Sequence, residues 1–246
     1  MRAVVLRLDA PLMSFGSVII DQNGYTDQFP GTAMLTGLLA NALGWHHRDF
    51  EPLQSLQERL AFAARWDVPP RRLIDYHTVD LGQPGLSQSG WTTRGEPEHR
   101  DGGPAARRGT HQRYRHYWVD GLLTVALALN GDGPPTQQEV AAALHQPARP
   151  LFLGRKTCLP ARPLLDPLTP LMEGEDLLDI LRRVPVWDRR GQAAADRAGR
   201  VACWPAGQPA GQPTQVRRVF DLRDWANQLP AGSRWRAEGP LGEEGL

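Results

Sequence analysis

Lysine is almost missing from this chain: Lys156 is the single one in 246 residues, so arginine supplies 27 of the 28 basic side chains. Arginine presents a planar fork to phosphate and a flat cation to bases, where lysine presents a point charge. The bias equally fits a GC-rich coding sequence, so by itself it assigns nothing. Cysteine is scarce as well. Cys158 and Cys203 are too few for a disulfide framework and too far apart for a zinc pair, which suits a reducing compartment and two inert thiols. No run approaches the roughly 20 apolar residues of a membrane helix, and "MRAVVLRLDAPLMSFG" has no long apolar stretch of the signal-peptide kind. A soluble, cytoplasmic protein without a membrane partner is expected. Net charge is only +1, which excludes nucleic-acid affinity arising from a globally basic body. Such affinity would have to come from local clusters or from partners.

Familiar catalytic signatures are also missing. There is no Gly-x-Ser-x-Gly, no HExxH and no dinucleotide fingerprint. The "GRKT" of residues 154–157 lacks the glycine that a phosphate loop needs directly before its lysine. His46 and His47 have no further residue at metal-ligand spacing. His111 and His116 lie among arginines and suit acid–base RNA cleavage, but with Tyr114, Tyr117 and Trp118 interleaved they equally suit passive contact with phosphates and bases. No catalytic constellation, metal site or cofactor is expected.

What is present is an α+β pattern with 41% hydrophobic residues, enough to bury a substantial core. "RAVVLRL" predicts a strand over residues 2–8. Met34, Leu35, Leu38, Leu39, Ala42 and Leu43 recur at helical spacing before Gly44, which predicts a helix over 31–44 with a glycine cap. "PLQSLQERL" predicts a short helix over 52–60. The segments "AFAARWDV" and "RLIDYHTVDL" predict two strands joined at Pro69-Pro70. Residues 82–112 then lose their apolar side chains, and a structureless stretch of that length is usually functional or disordered. Strands are expected near 113–119 and 121–130. A helix follows near Pro135, with Thr136 and Glu139 at capping-box spacing. This order approaches the β-α-β-β-α-β ferredoxin-like plan with a long excursion between strands. Beyond residue 165 only a short helix in "EDLLDILRRV" and a late strand in "VRRVFDLRDW" stand out.

Three features suit RNA. The loop after the first strand and the N-terminus of the 31–44 helix offer backbone N–H groups and a positive dipole end, a ready anion site. Residues 94–116 carry six arginines against Glu96, Glu98 and Asp101. Residues 149–162 carry Arg149, Arg155, Lys156 and Arg162 with no acid among them.

Six segments in order carry a resemblance: "LRLDAPLMSFG", "FPGTAMLTGLLANALGW", "LIDYHTV", "RYRHYWVDGLLTVALAL", "RPLFLGRKTCLPARPL" and "VRRVFDLRDW". Together they span roughly residues 2–225, and the chain resembles the fifth CRISPR-associated family. That family comprises RAMP-type subunits of the type I-E CRISPR surveillance complex called Cascade. The resemblance implies a ferredoxin-like (RRM-related, RAMP) domain over residues 1–165, with a thumb-like β-hairpin inserted at about 78–115. A smaller, β-rich but irregular C-terminal extension would occupy 166–246. It further implies a non-catalytic subunit that binds and caps the 5′ handle of crRNA and helps assemble the backbone. The CasC backbone subunit, the CasA large subunit and other Cascade subunits would be its protein partners, with target DNA met only indirectly. Single-stranded RNA is recognised through splayed bases, 2′-hydroxyls and stacked arginines.

Position by position, Met13, Ser14, Phe15 and Gly16 match the family's loop after strand one, and Thr32 and Thr36 its first helix. Tyr76 and His77 match the root of the thumb. Arg94, Arg107, Arg108, Arg113 and Arg115 lie in or beside the thumb, with Trp91 a candidate apolar wedge. Gly154, Arg155, Lys156 and Thr157 match a basic element expected to hold handle phosphates and bases. Two positions depart from the pattern: Ala10 stands for a glycine and Ala33 for a serine. Relatives of another subtype cut precursor RNA with a tyrosine, lysine and histidine set that this chain does not match, and in type I-E systems a separate subunit, CasE, cuts. Two alternatives stay open, a precursor-RNA-processing endoribonuclease and a purely structural connector whose basic clusters meet acidic protein surfaces.

Overall fold

A computed structural model of the chain describes residues 1–17, 19–80, 110–194, 200–208 and 213–241. In chain order the elements begin with β1 (Arg2–Asp9), β2 (Leu12–Met13), β3 (Ile19–Ile20), β4 (Asn23–Gly24), α1 (Thr32–Leu43) and α2 (Phe50–Arg59). There follow β5 (Leu60–Val68), β6 (Arg71–Asp80), β7 (Thr110–Val119), β8 (Leu122–Leu129) and α3 (Gln137–His145). The remainder comprises β9 (Leu171–Glu173), α4 (Leu177–Arg183), β10 (Arg200–Pro205), β11 (Gln215–Val219), β12 (Arg223–Asp224), β13 (Leu229–Pro230) and β14 (Arg234–Leu241).

Two compact units emerge. One holds residues 1–17, 26–73 and 117–246, the other residues 18–25 and 74–116. The first unit is built on a seven-stranded sheet in the order β11-β14-β10-β5-β8-β1-β9. Its central strands read as near-continuous apolar runs because both faces are covered. Val4, Leu6 and Leu8 of β1, with Leu123, Val125 and Leu127 of β8, face a core completed by Leu35, Leu38 and Leu39 of α1 and by Val140 and Leu144 of α3. Ala3 and Val5, with Ala126 and Ala128, face the opposite layer, where Leu177, Leu178, Ile180 and Leu181 of α4 pack. Small residues on that face let α4 approach closely.

The helix ends follow their local signals. Gly44 adopts φ 82° and donates to Ala40 and Asn41, the left-handed stop expected of glycine. Thr136 and Glu139 form the reciprocal capping box. In α2 helix formation begins at Phe50, two residues ahead of Pro52, because proline is tolerated in a first turn, where N–H groups have no partner within the helix.

The segment after residue 165 is more regular than its sequence suggests. It supplies β9, β10, β11 and β14 to the same sheet as β1. Short strands rich in arginine, proline and glycine carry weak propensity, and pairing with longer partners fixes them. The second unit contains the β3–β4 hairpin and the adjoining parts of β6 and β7. There β4 pairs with β7 through Asn23↔Tyr114 and Gly24↔Arg115. Residues 81–109, which include most of the expected thumb with Trp91, Arg94, Arg107 and Arg108, lie outside the described residues.

Arg7 is wholly buried in the middle of β1. Its guanidinium donates to Asp166 at 2.6 Å, to Asp67 at 2.8 Å, to Thr124 at 2.5 Å and to the Pro185 carbonyl at 2.9 Å. Asp67 also accepts from Arg65 at 2.7 Å and from the Trp187 N–H at 2.8 Å. Removing one member strands an opposite charge out of water. Asp67→Ala should therefore destabilise the fold by about 3–5 kcal/mol, read as a lower urea midpoint.

A second network joins Asp27 to Arg217 and Arg236, each at 2.8 Å. Burial alone would raise the Asp27 carboxyl, but the charge and hydrogen bond of Arg236, then Arg217, outweigh it and hold it below its ordinary 3.8. Asp166 is depressed too, burial being outweighed by the Thr169 N–H and by Arg7. The folded state thus favours both charged forms. The stabilisation is fully present above the ordinary value of 3.8 and is lost as pH falls through the lower folded-state values. Urea titrations at stepped pH should show the wild type weakening below about pH 4, with a shallower acid slope in Asp27→Asn.

Candidate nucleic-acid interface

The first unit brings the two expected RNA loops together, and β1 is the reason. After α3 the chain runs antiparallel along the free edge of β1: Leu171 pairs with Val4, Leu165 bridges Leu6, and the Ala161 N–H donates to the Asp9 carbonyl. Continued past the end of β1, this alignment sets residues 153–158 beside the loop that leaves it. The Ser14 N–H donates to the Leu153 carbonyl at 3.0 Å. The basic segment closes into a tight loop, with the Leu153 N–H on the Cys158 carbonyl at 2.8 Å and the Cys158 N–H on the Arg155 carbonyl at 2.9 Å. Gly154 takes φ +97°, and a Cβ there would overlap the Ser14 carbonyl oxygen. Glycine is required twice over, for its backbone angle and for that approach.

The loop presents Lys156 and Thr157 to solvent and leaves Arg155 half-buried. The Arg155 guanidinium stacks 4.7 Å from the Tyr117 ring centroid. Close by in sequence on β7, Trp118 carries the exposed Arg72 at 5.2 Å. Two arginines thus lie within cation–π distance of aromatic rings. Of the four cations in residues 149–162, the other two have structural duties. Arg149 donates to the Gly44 and Trp45 carbonyls at the end of α1, where a cation suits the helix dipole, and Arg162 pairs with Asp9 at 2.7 Å.

The loop after β1 divides into floor and rim. Met13, Ser14 and Phe15 are buried, and only Gly16 of that group is exposed. Met13 pairs with Trp118 in the β2–β7 ladder, and the Phe15 N–H donates to Thr26 at 2.9 Å. Their side chains support the loop from beneath, so what this stretch offers outward is its backbone and Gly16. Asp27 anchors the same loop: its N–H donates to the Gly16 carbonyl at 2.8 Å and its carbonyl accepts from the Trp118 indole at 2.7 Å.

The expected anion site at the start of α1 is already filled from within the chain. The Asp221 carboxylate accepts from the Thr32 N–H at 3.0 Å and from the Thr32 hydroxyl at 3.4 Å, and it pairs with Arg234 at 2.9 Å. Thr36 is fully buried and donates its hydroxyl to the Thr32 carbonyl. Thr32 and Thr36 therefore serve the fold. Only a long-range partner explains this, and no local signal marked Asp221 as the cap.

In the second unit, Tyr76 is exposed and stacks on Tyr114 at 5.1 Å, while Tyr25 lies 4.7 Å from His116. His77 contacts Asp75 at 2.5 Å, and Arg113 and Arg115 are exposed. Arg107 and Arg108 lie outside the described residues. The two thiols are buried and unpaired with each other. Burial pushes the Cys158 thiol up and the Cys203 thiol up to about 12. Among the described residues no helix is long and apolar enough to cross a membrane.

Comparisons place these features among known proteins. The family described as CRISPR-associated protein (Cas_Cas5) matches residues 3–237. The CRISPR system Cascade subunit CasD of Escherichia coli (strain K12) is 33% identical over 173 residues, covering 67% of this chain and 68% of that one. A chain from a solved CRISPR RNA-guided surveillance complex superposes with a TM-score of 0.67 at 24% identity, covering 97% of this chain and 89% of its own. A crystal structure of a Cas protein gives 0.66 at 21% identity, with coverage of 98% and 95%.

Cys158 reports on the basic loop because it lies buried at its base. Gly154→Ala should cost at least about 1 kcal/mol and displace the loop. A faster reaction of Cys158 with a thiol reagent, in a Cys203→Ala background, would record the displacement before global unfolding.

Proposed function

The chain belongs to the CRISPR-associated Cas_Cas5 family, and on that premise we propose that it is a non-catalytic subunit of a Cascade-type surveillance complex that binds and caps the 5′ handle of crRNA. The observation that carries this reading is the apposition of the Gly154–Thr157 loop and the post-β1 loop, with Arg155 stacked on Tyr117 and Arg72 on Trp118. Guanidiniums held over aromatic rings, an exposed lysine and an exposed glycine backbone suit an unstacked single strand, whose phosphates the cations would take. A globally near-neutral chain needs such a local site, and it needs neighbours that hold the same RNA.

The strand order β5-β8-β1-β9, antiparallel at every step, with α1 and α3 in the crossovers, supports the ferredoxin-like reading of the sheet. Arg113, Arg115, Tyr76 and His77 of the second unit would make RNA contacts of their own. In this reading the subunit helps assemble the backbone, meets the CasC and CasA subunits, and reaches target DNA only through the assembled complex.

The test is RNA retention by the protein co-expressed with its complex. Arg155→Glu with Lys156→Glu should release labelled repeat RNA and lower the salt slope by roughly 0.7 per lost phosphate contact. Retention without cutting in wild type, lost in the double variant, is the expected outcome. Cutting abolished by His111→Ala or His116→Ala would establish the processing nuclease instead. Loss of subunit association with unchanged RNA contacts would establish the connector.

A further inference from the structure

A cleft of about 850 Å³ lies between α2 and residues 222–231 of the first unit. It is preformed. Gln57 knits its floor, donating to the Arg223 carbonyl at 2.9 Å and accepting from the Arg223 N–H at 3.1 Å and the Trp225 indole at 3.2 Å. Leu60, Leu222 and the half-exposed Phe50 supply apolar lining.

Its rim is acidic. Glu51 and Glu58 stand two turns apart on α2, and Asp224 faces from the other wall. Among the described residues none of the three pairs with a lysine or arginine. Of the lining arginines, Arg234 is neutralised by Asp221, and Arg223 is turned onto Gln228 at 2.7 Å. Asp224 is held in its charged form, below its ordinary value, by hydrogen bonds from Asn227.

We propose that this cleft docks a basic, apolar segment of a partner protein, in which arginine or lysine side chains meet Glu51, Glu58 and Asp224 while an apolar side chain enters between Phe50 and Leu222. Charge decides the class of occupant. Carboxylates along the rim repel phosphates, so the cleft is unsuited to the nucleic acid that the Arg155 loop suits, and complementary charge steers a cationic chain toward it. The volume lies in the range of pockets that enclose a few side chains, and a floor fixed by Gln57 removes part of the ordering cost of binding. The inference stands independently of the RNA reading, since it uses none of the same residues.

The probe is a short fluorescent peptide alternating arginine with leucine, titrated into the full chain and followed by anisotropy. Glu51→Gln with Glu58→Gln should weaken it about tenfold, and Glu51→Lys with Glu58→Lys further still. Glu51 stands in the first turn of α2 and Glu58 accepts from Gln54 at 2.9 Å, so melting temperatures should fall slightly, and more for the lysine pair than for the glutamine pair. The same peptide with glutamate for arginine should not bind, and oligouridylate should not displace the bound probe. Equal affinity for wild type and both variants, no binding of the arginine peptide, or displacement by the oligouridylate would overturn the proposal.

Discussion

The Arg7 guanidinium is the fixed point of the first unit. A charge wholly removed from water is tolerable only when its donors are met, and Asp67 on β5, Asp166 beyond the basic loop, Thr124 on β8 and the Pro185 carbonyl meet them. Those partners come from four distant parts of the chain. The network therefore specifies which strands lie beside β1, and in what register, more than it adds net stability. Asp166 has the largest consequence: its pairing with Arg7 locks the chain running along the edge of β1, and that alignment decides where the basic loop can lie.

From that constraint the architecture of the interface follows. The chain that returns along β1 reaches the end of the strand carrying Gly154–Thr157, and Gly154 lets it come against the Ser14 carbonyl. Asp27 secures the other side, its backbone on Gly16 and Trp118 and its carboxylate on Arg217 and Arg236 of the C-terminal strands. Arg155 and Arg72 then lie over the Tyr117 and Trp118 rings. Cations already held against rings lose less side-chain freedom when they meet a ligand.

Charge is partitioned among separate tasks. Arg149 and Arg162 stay with the fold, Lys156 faces outward beside the half-buried Arg155, and Glu51, Glu58 and Asp224 rim the cleft beside α2. A net charge of +1 conceals this segregation. The cationic surface and the carboxylate rim share no residue, so their electrostatics are separate.

Periodicity and local capping chemistry act between residues close in sequence, and they made α1, α3, β1, β5 and β8 legible, together with Gly44 as a stop and Thr136–Glu139 as a capping box. The motif "LGRKT" marked the outward cations for the same reason, since their neighbours in sequence are their neighbours in space. Other features depended on contacts across the whole chain. Asp221 as the cap of α1, nearly 190 residues away, the burial of Thr32 and Thr36, the pairing of β10, β11 and β14 into the main sheet, and the structural duties of Arg149 and Arg162 carry no local signature. Short strands have too little propensity to declare themselves. An arginine looks the same in sequence whether it meets a carboxylate, a carbonyl or an aromatic ring. The residue types and their local spacing established the elements and the chemistry on offer, while the long-range ion pairs decided which charges are spent inside the fold.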